Sequence, residues 1–164
     1  MIILVMGVAG SGKTTIGQLL ARQLHWSFAD ADDFHPPANI AKMSAGQPLT
    51  DDDRNPWLAA LRAHVEARLA NNENAVVACS ALKESYRRTL VVDPQHVHIV
   101  YLHGSRELLL SRISGRQGHY MKPAMLDSQL ATLEPPAGAL SLDVTPPPEV
   151  LVEKIRATLN LRPA

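Results

Sequence analysis

The sequence predicts one α/β domain of 164 residues, built on a five-stranded parallel sheet flanked by helices. Short apolar runs alternate with helix-like segments, which is typical of successive βαβ units. The runs at Ile2–Met6 and Ala75–Cys79 show no polar alternation, as expected of strands that helices cover on both faces. Ligands bind beyond the carboxyl ends of such strands. The residues that follow each strand are therefore the first candidates for a functional site.

The first third of the chain predicts two strands and two helices. Ile2–Met6 is a buried strand, and Lys13–Leu24 follows as a helix with apolar residues recurring on one face. Trp26–Asp30 is a short second strand. A proline at Pro36 or Pro37 predicts the start of a helix that ends near Gly46, since proline favours the first helical position and glycine the position after the last.

The middle of the chain repeats the alternation. Asp51–Asp53 supply cap and first-turn carboxylates for a helix that runs to about residue 70. Ala75–Cys79 is the third strand, Lys83–Val91 is helical and His98–Leu102 is the fourth strand.

The last third predicts a small lid, three helices and the fifth strand. Ser105 caps a helix, and residues 115–122 form a basic, glycine-containing loop that we interpret as the lid. Met125–Leu133 is a helix, Ala139–Val144 is the fifth strand, and Pro148–Leu159 is a closing helix.

Composition argues against some classes of partner. Lys+Arg and Asp+Glu are balanced at 16 each, so no net field steers the protein to nucleic acid or to an anionic membrane. No apolar run approaches the ~20 residues that span a bilayer. The start of the chain lacks a basic segment of the secretory type. The single cysteine, Cys79, cannot form an internal disulfide, which favours a reducing cytoplasm, and it is otherwise read as a small buried apolar residue.

A phosphate-binding motif follows the first strand. The segment matches G-x-x-x-x-G-K-[ST] and has the required strand before it and helix after it. Its glycines let the backbone turn N–H groups toward phosphate oxygens, and the helix start adds a positive dipole end. Lys13 is expected to reach the β- and γ-phosphates, and the Thr14 hydroxyl to bind Mg²⁺. The predicted ATP-binding residues of the loop are Gly7, Val8, Ala9, Gly10, Ser11, Gly12, Lys13 and Thr14.

A group of carboxylates follows the second strand. Asp30 and Asp32 are two residues apart, so an extended chain would point both the same way. Asp30 is expected to join the Mg²⁺ shell, and Asp32 to orient or deprotonate an attacking hydroxyl. The alternative is a capping cluster, with Asp33, before the next helix. His35 is either a ligand of substrate hydroxyls or a turn residue.

Several further segments resemble the gluconokinase family in order and at close spacing across nearly the whole chain. The two most specific are Asp51-Asp52-Asp53-Arg54-Asn55-Pro56-Trp57-Leu58 and Cys79-Ser80-Ala81-Leu82-Lys83. The other matching segments are Asp30–Pro36, Asn39–Met43, Tyr86-Arg87, Arg116–Tyr120 and Thr132–Pro136.

The resemblance implies a fold similar to shikimate and nucleoside monophosphate kinases. It implies ATP-dependent phosphorylation of D-gluconate to 6-phospho-D-gluconate with Mg²⁺, by a protein that is usually a homodimer. The acceptor side of such a site needs a cation for the carboxylate and polar groups for the hydroxyls. The candidates besides Asp32 and His35 are Arg54, Ser80, Lys83 and Arg87.

Two of these groups have structural alternatives. Arg54 could form a surface ion pair with Asp51 or Asp53, and Trp57 is expected in the core with pocket lining as the alternative. Arg112 and Arg116 are expected to contact ATP from the lid, and Arg116 to stabilise charge in the transition state; the alternative for both is a solvated basic loop. The predicted catalytic residues are thus Lys13, Asp32 and Arg116.

Two rival functions stay open at this point. One is a kinase of another small metabolite, such as shikimate, a nucleotide or a related aldonic acid, although the glycine pair of shikimate kinases is replaced here by Cys79-Ser80-Ala81. The other is a nucleotide-dependent switch, but the N-K-x-D motif of GTPase switches does not occur in the sequence.

Overall fold

The predicted five-stranded parallel sheet is confirmed. The structure, a computed structural model, describes residues 1–115 and 123–163. The strands are β1 (Ile2–Met6), β2 (Ser27–Asp30), β3 (Ala75–Ala78), β4 (Val97–His103) and β5 (Leu140–Asp143). They lie in the order β2-β3-β1-β4-β5, and every neighbouring pair is parallel.

Seven α-helices connect and cover these strands in the described part of the chain. They are α1 (Lys13–Leu24), α2 (Pro37–Ser44), α3 (Asp51–Ala70), α4 (Glu84–Leu90), α5 (Arg106–Ser114), α6 (Pro123–Thr132) and α7 (Pro148–Thr158). A 3₁₀ helix at Ala31–Phe34, which the sequence did not predict, follows β2 directly. No described helix is both long and apolar enough to cross a membrane.

The sheet separates two hydrophobic layers. Ile3 and Val5 of β1 point to the layer that holds the buried faces of α1 and α7. Ile2, Leu4 and Met6 point to the layer that contains α3 and α4. All five residues are buried, because alternate side chains of a strand face opposite sides and both sides carry helices. This is the apolar run without alternation that the sequence showed.

The N-terminus of α3 is held by a capping box. Thr50 is the N-cap, and its Oγ1 accepts from the Asp53 N–H (3.1 Å) while Asp53 Oδ2 accepts from the Thr50 N–H (2.9 Å). The sequence assigned the cap to Asp51–Asp53, so the cap lies one residue earlier than predicted. Lys42 Nζ adds bonds of 2.7 and 2.8 Å to the Asp53 carboxylate, which ties α2 to α3 and holds the pKa of Asp53 at about 2.

Ser105 caps α5 as predicted, its Oγ accepting from the Leu108 N–H. Gly115 follows as the C-cap of the same helix. The rest of the predicted lid, residues 116–122, lies outside the described residues.

Candidate active site

Part of the predicted site lines one cleft at the carboxyl ends of β1, β2 and β3. The cleft has a volume of about 220 Å³, and we call it the phosphate cleft. Its described lining residues are Ala9, Gly10, Gly12, Lys13, Thr14, Asp30, Asp32, Ala78, Cys79, Ser80, Ile113 and Gln129. Three of the predicted ATP-binding residues, Gly7, Val8 and Ser11, belong to the same loop but do not line the cleft.

The loop between β1 and α1 requires glycine at two positions. Gly7 and Gly10 have φ angles of 153° and 78°. A Cβ at Gly7 would lie 2.5 Å from the Leu102 carbonyl oxygen, and one at Gly10 would lie 2.6 Å from that of Leu109. Any side chain would therefore clash with backbone in addition to straining the turn. The turn delivers the chain to Lys13 at the start of α1, where the helix dipole favours an anion. The Lys13 ammonium donates to the Val8 carbonyl oxygen (3.1 Å).

Thr14 and Asp30 are in direct contact. The Thr14 hydroxyl donates to Asp30 Oδ2 (2.9 Å), and Asp30 Oδ1 accepts from the Asp32 N–H (3.0 Å). The expectation of an extended chain through Asp32 is wrong, because the chain turns into the 3₁₀ helix directly after Asp30, which acts as its N-cap. The turn nevertheless brings both carboxylates to the phosphate cleft. Asp30 therefore also caps a helix, which was the alternative interpretation of this group of carboxylates.

The environment of Asp32 shifts its titration upward. Burial raises the pKa of Asp32, the neighbouring Asp30 raises it further, and Lys13 and His35 oppose the shift. Burial lowers the pKa of His35, which keeps its ring neutral at pH 7. That ring stacks on Trp57 with centroids 4.6 Å apart. Trp57 is buried as expected, and its Nε1 donates to the Ala31 carbonyl oxygen (2.6 Å) at the start of the 3₁₀ helix.

The predicted cations of the acceptor side lie outside the lining of the phosphate cleft. Lys83 Nζ lies 3.0 Å from both carboxylate oxygens of Asp51, and the Tyr86 hydroxyl donates to the same carboxylate. Arg54 NH1 donates to the Leu49 carbonyl oxygen (2.7 Å) and lies 3.9 Å from Asp51. Both cations lie over the Tyr86 ring, 5.5 and 5.8 Å from its centroid. The ion-pair alternative for Arg54 is therefore seen in the structure.

Arg87 is placed differently from the expectation. Its side chain is buried at 5% exposure, and NH1 donates to the carbonyl oxygens of Ala81 (2.9 Å) and Leu82 (3.1 Å). Ala81 has a φ of 44°, in the left-handed region that non-glycine residues rarely adopt. Arg87 thus holds the loop between β3 and α4, and the helical spacing that placed it beside Lys83 did not reveal that it turns back onto its own loop.

The structure describes one of the two predicted lid arginines, Arg112. Arg112 NH2 donates to the Val144 carbonyl oxygen just after β5 (2.6 Å). Arg116 lies outside the described residues.

The sequence did not predict one polar lining residue of the phosphate cleft, Gln129. Gln129 of α6 accepts a hydrogen bond from the Ala9 N–H through Oε1 (2.7 Å), 120 residues away in the chain. It belongs to no recognised motif, so no local signal pointed to it.

The metal-binding capacity of the cleft is limited to a few oxygen ligands. The described residues contain no group of three or more His, Cys, Asp or Glu side chains able to hold an ion by themselves. Thr14 and Asp30 offer hard oxygen atoms beside the phosphate loop. This set suits Mg²⁺, which is typically bound by one or two protein oxygens together with water and substrate phosphates.

Comparisons with known proteins agree with this geometry. The chain is 43% identical to a probable gluconokinase of Xenopus tropicalis, over 98% of this chain and 94% of the relative. It is 48% identical to a gluconokinase of Gluconobacter oxydans, over 82% and 75%. The crystal structure of a gluconokinase from Sinorhizobium meliloti superposes with a TM-score of 0.85 at 47% identity, over 96% of this chain and 90% of that one.

The family model described as shikimate kinase also matches, over residues 9–134. A solved shikimate kinase from Aquifex aeolicus has a TM-score of 0.60 but only 18% identity, over 98% of this chain and 96% of that one. At that identity the likeness shows the shared fold alone.

Proposed function

The chain belongs to the gluconokinase family of P-loop kinases, and we propose that it transfers the γ-phosphoryl group of ATP to D-gluconate, giving 6-phospho-D-gluconate. The observation that carries the proposal is the meeting of the phosphate loop with Asp30, Asp32 and Ser80 in one cleft. A phosphate donor and a hydroxyl acceptor can therefore be held against each other, which is most of what phosphoryl transfer asks of a protein.

The donor side is carried by the phosphate loop. Its amides and the Lys13 ammonium would bind the β- and γ-phosphates, so Lys13 exchanges its contact with the Val8 carbonyl for phosphate oxygens. Arg112, which donates to the Val144 carbonyl oxygen, stays a predicted ATP ligand. Arg116 stays a predicted ATP and transition-state ligand.

Thr14 and Asp30 would hold Mg²⁺ with the phosphates, since both present oxygen atoms at the cleft. When bound, the ion supplies positive charge to the phosphate oxygens. The Thr14 hydroxyl would offer an oxygen lone pair to the ion and could keep its proton for Asp30 Oδ2.

Asp32 is our candidate for the residue that accepts the proton of the attacking hydroxyl. Burial and the neighbouring Asp30 raise the pKa of Asp32 and Lys13 opposes this rise, and a carboxylate with a raised pKa is a stronger base. His35 Nδ1 lies 3.3 Å from Nδ2 of the buried Asn39, and burial lowers the pKa of the ring. The neutral His35 ring can bind a substrate hydroxyl.

The acceptor carboxylate is assigned to Arg54 and Lys83. These two cations share one protein carboxylate, Asp51, so the group keeps a net positive charge that an acid substrate can neutralise. Ser80 lines the cleft and can bind a hydroxyl. Arg87 supports the same side by holding the Ala81 and Leu82 carbonyls instead of by contact.

Two further properties belong to this proposal. We infer a homodimer from the family resemblance, which light scattering on the purified protein measures. We infer a cytoplasmic location, supported by the single buried thiol, Cys79.

The decisive experiment is a coupled ADP-release assay with Mg-ATP across D-gluconate, other aldonic acids, shikimate and nucleoside monophosphates. We expect kcat/KM to be highest for gluconate. A higher kcat/KM for shikimate or a nucleotide would replace the proposal with that activity. Slow turnover that no acceptor accelerates would indicate a nucleotide switch.

A further inference from the structure

Among the described lining residues of the phosphate cleft, Gln129 is the one polar side chain that the proposed mechanism leaves without a role. It projects from α6 and shares the lining of the cleft with Gly10, Lys13 and Thr14. Its Oε1 accepts from the Ala9 N–H at 2.7 Å.

That hydrogen bond fixes the orientation of the amide. A backbone N–H can only donate, so the atom facing Ala9 must be the carbonyl oxygen and not the NH₂ group. The Nε2 atom, with two N–H donors, is then directed away from Ala9. Among residues 1–115 and 123–163 it has no hydrogen-bond acceptor. A fixed amide donor without a protein partner therefore stands at a cleft built for phosphate oxygens.

The helix that carries Gln129 is anchored on three sides. Leu126 is fully buried in the hydrophobic layer of α1 and α7. Asp127 accepts two hydrogen bonds from Arg106, at 2.7 and 3.0 Å. Just past the helix, the Glu134 N–H donates to the Leu82 carbonyl oxygen (2.8 Å) and its Oε2 accepts from the Glu84 N–H (2.7 Å). Such support is what positions a side chain closely enough to recognise a ligand.

We propose that Gln129 is a nucleotide-binding residue of this cleft: its Oε1 holds the phosphate loop at Ala9 and its Nε2 donates to the phosphate chain of ATP. The proposal rests on the proposed function only for the identity of the nucleotide. It adds a neutral donor on α6 to the cationic and backbone donors of the loop.

The test compares Gln129→Glu with Gln129→Ala in equilibrium binding of the Mg²⁺ complex of a non-hydrolysable ATP analogue. Glu keeps an oxygen for the Ala9 N–H but replaces the NH₂ donor with negative charge. We expect Gln129→Glu to raise the Kd by at least about tenfold through repulsion of the phosphates. Gln129→Ala removes the hydrogen bonds without adding charge, and should raise the Kd by about three- to tenfold.

Ser128→Glu is the matched control, because Ser128 is the exposed neighbour on the same helix. A charge there is screened by solvent and should change the Kd by less than about twofold. A Gln129→Glu protein that melts like the parent and binds the analogue as tightly as Ser128→Glu would overturn the proposal and leave Gln129 a purely structural contact.

The outcome is independent of the acceptor. Binding of the analogue is read without gluconate, so a failure of gluconate turnover in the parent enzyme would refute the proposed function and still leave the Gln129 comparison decisive. If Gln129→Ala does not fold, Gln129→Glu, which retains the contact with Ala9, still decides.

Discussion

Arg87 distinguishes a structural cation from a substrate-binding one, and replacing it tests the distinction directly. Arg87→Met keeps most of the side-chain volume on α4 and removes the guanidinium that holds the Ala81 and Leu82 carbonyls. These carbonyls belong to the loop in which Ala81 has a φ of 44°. Burial lowers the pKa of Arg87, and Glu134 and Glu84 oppose this shift, so the charge is retained at neutral pH.

The expected cost follows from the contacts. A hydrogen bond from a charged donor contributes about 1.5–3 kcal/mol, and here one nitrogen serves two carbonyls that lose their partner in the buried loop. We take about 3 kcal/mol as the decrease in the free energy of unfolding. For a domain of this size that corresponds to a Tm lower by about 6–12 °C.

Urea unfolding and thermal melts measure this decrease, and steady-state kinetics with gluconate follow in parallel. Arg88→Met is the matched control, since Arg88 is the exposed neighbour whose i,i+4 pair with Glu84 is worth only about 0.3–0.5 kcal/mol. We expect kcat and the KM for gluconate of Arg87→Met to worsen together as the loop relaxes. An Arg87→Met protein as stable as Arg88→Met, with a raised KM for gluconate alone, would refute the reasoning and make Arg87 a direct substrate ligand.

Three further predictions concern the phosphate cleft. Lys13→Ala should reduce kcat by about 10²-fold or more because a preorganised cation is lost from the transferring phosphates, with an unchanged circular dichroism melt; near-normal turnover would contradict the mechanism. Asp32→Asn should reduce kcat by about 10²–10⁴-fold. A general base must be unprotonated, so kcat of the parent enzyme should fall as the pH decreases through the pKa of Asp32, which is raised above 3.8. A pH profile of the parent enzyme without this decrease would argue that Asp32 only orients the hydroxyl. Cys79, at 1% exposure and with its pKa raised by burial to about 12, should react with a thiol reagent at pH 8 only on unfolding in urea, and rapid labelling of the native protein would show that this edge of the cleft opens.

Much of the site could be predicted because its signals are local. The glycine spacing of Gly7–Thr14 reflects backbone angles and close approaches within a few residues, and the structure has both at Gly7 and Gly10. The positions of Asp30 and Ser80 follow from a general property of parallel sheets, in which the carboxyl ends of strands share one edge. The 3₁₀ helix at Ala31–Phe34 was missed because it is a single turn, too short to show a periodicity.

Contacts across large sequence separations could not be predicted in the same way. Lys83 meets Asp51 over 32 residues, and Gln129 meets Ala9 over 120. Arg87 and Lys83 look equivalent as cations four positions apart, yet one is buried against carbonyl oxygens and the other forms an ion pair at 3.0 Å. Whether such a cation is buried against carbonyl oxygens or forms an ion pair depends on how the surrounding segments of the chain pack.

The amino-acid sequence by itself determined the sheet and the phosphate loop, because both follow from hydrophobic periodicity and local backbone geometry, while the class of chemistry came from the motifs that resemble the gluconokinase family. Only the tertiary structure decided the division of labour among the polar groups around the cleft. It brought Gln129 to the loop, turned Arg87 inward and raised the pKa of Asp32 by burying it beside Asp30. Those outcomes depend on desolvation and on distances between segments far apart in the chain, and no local pattern of residues encodes either.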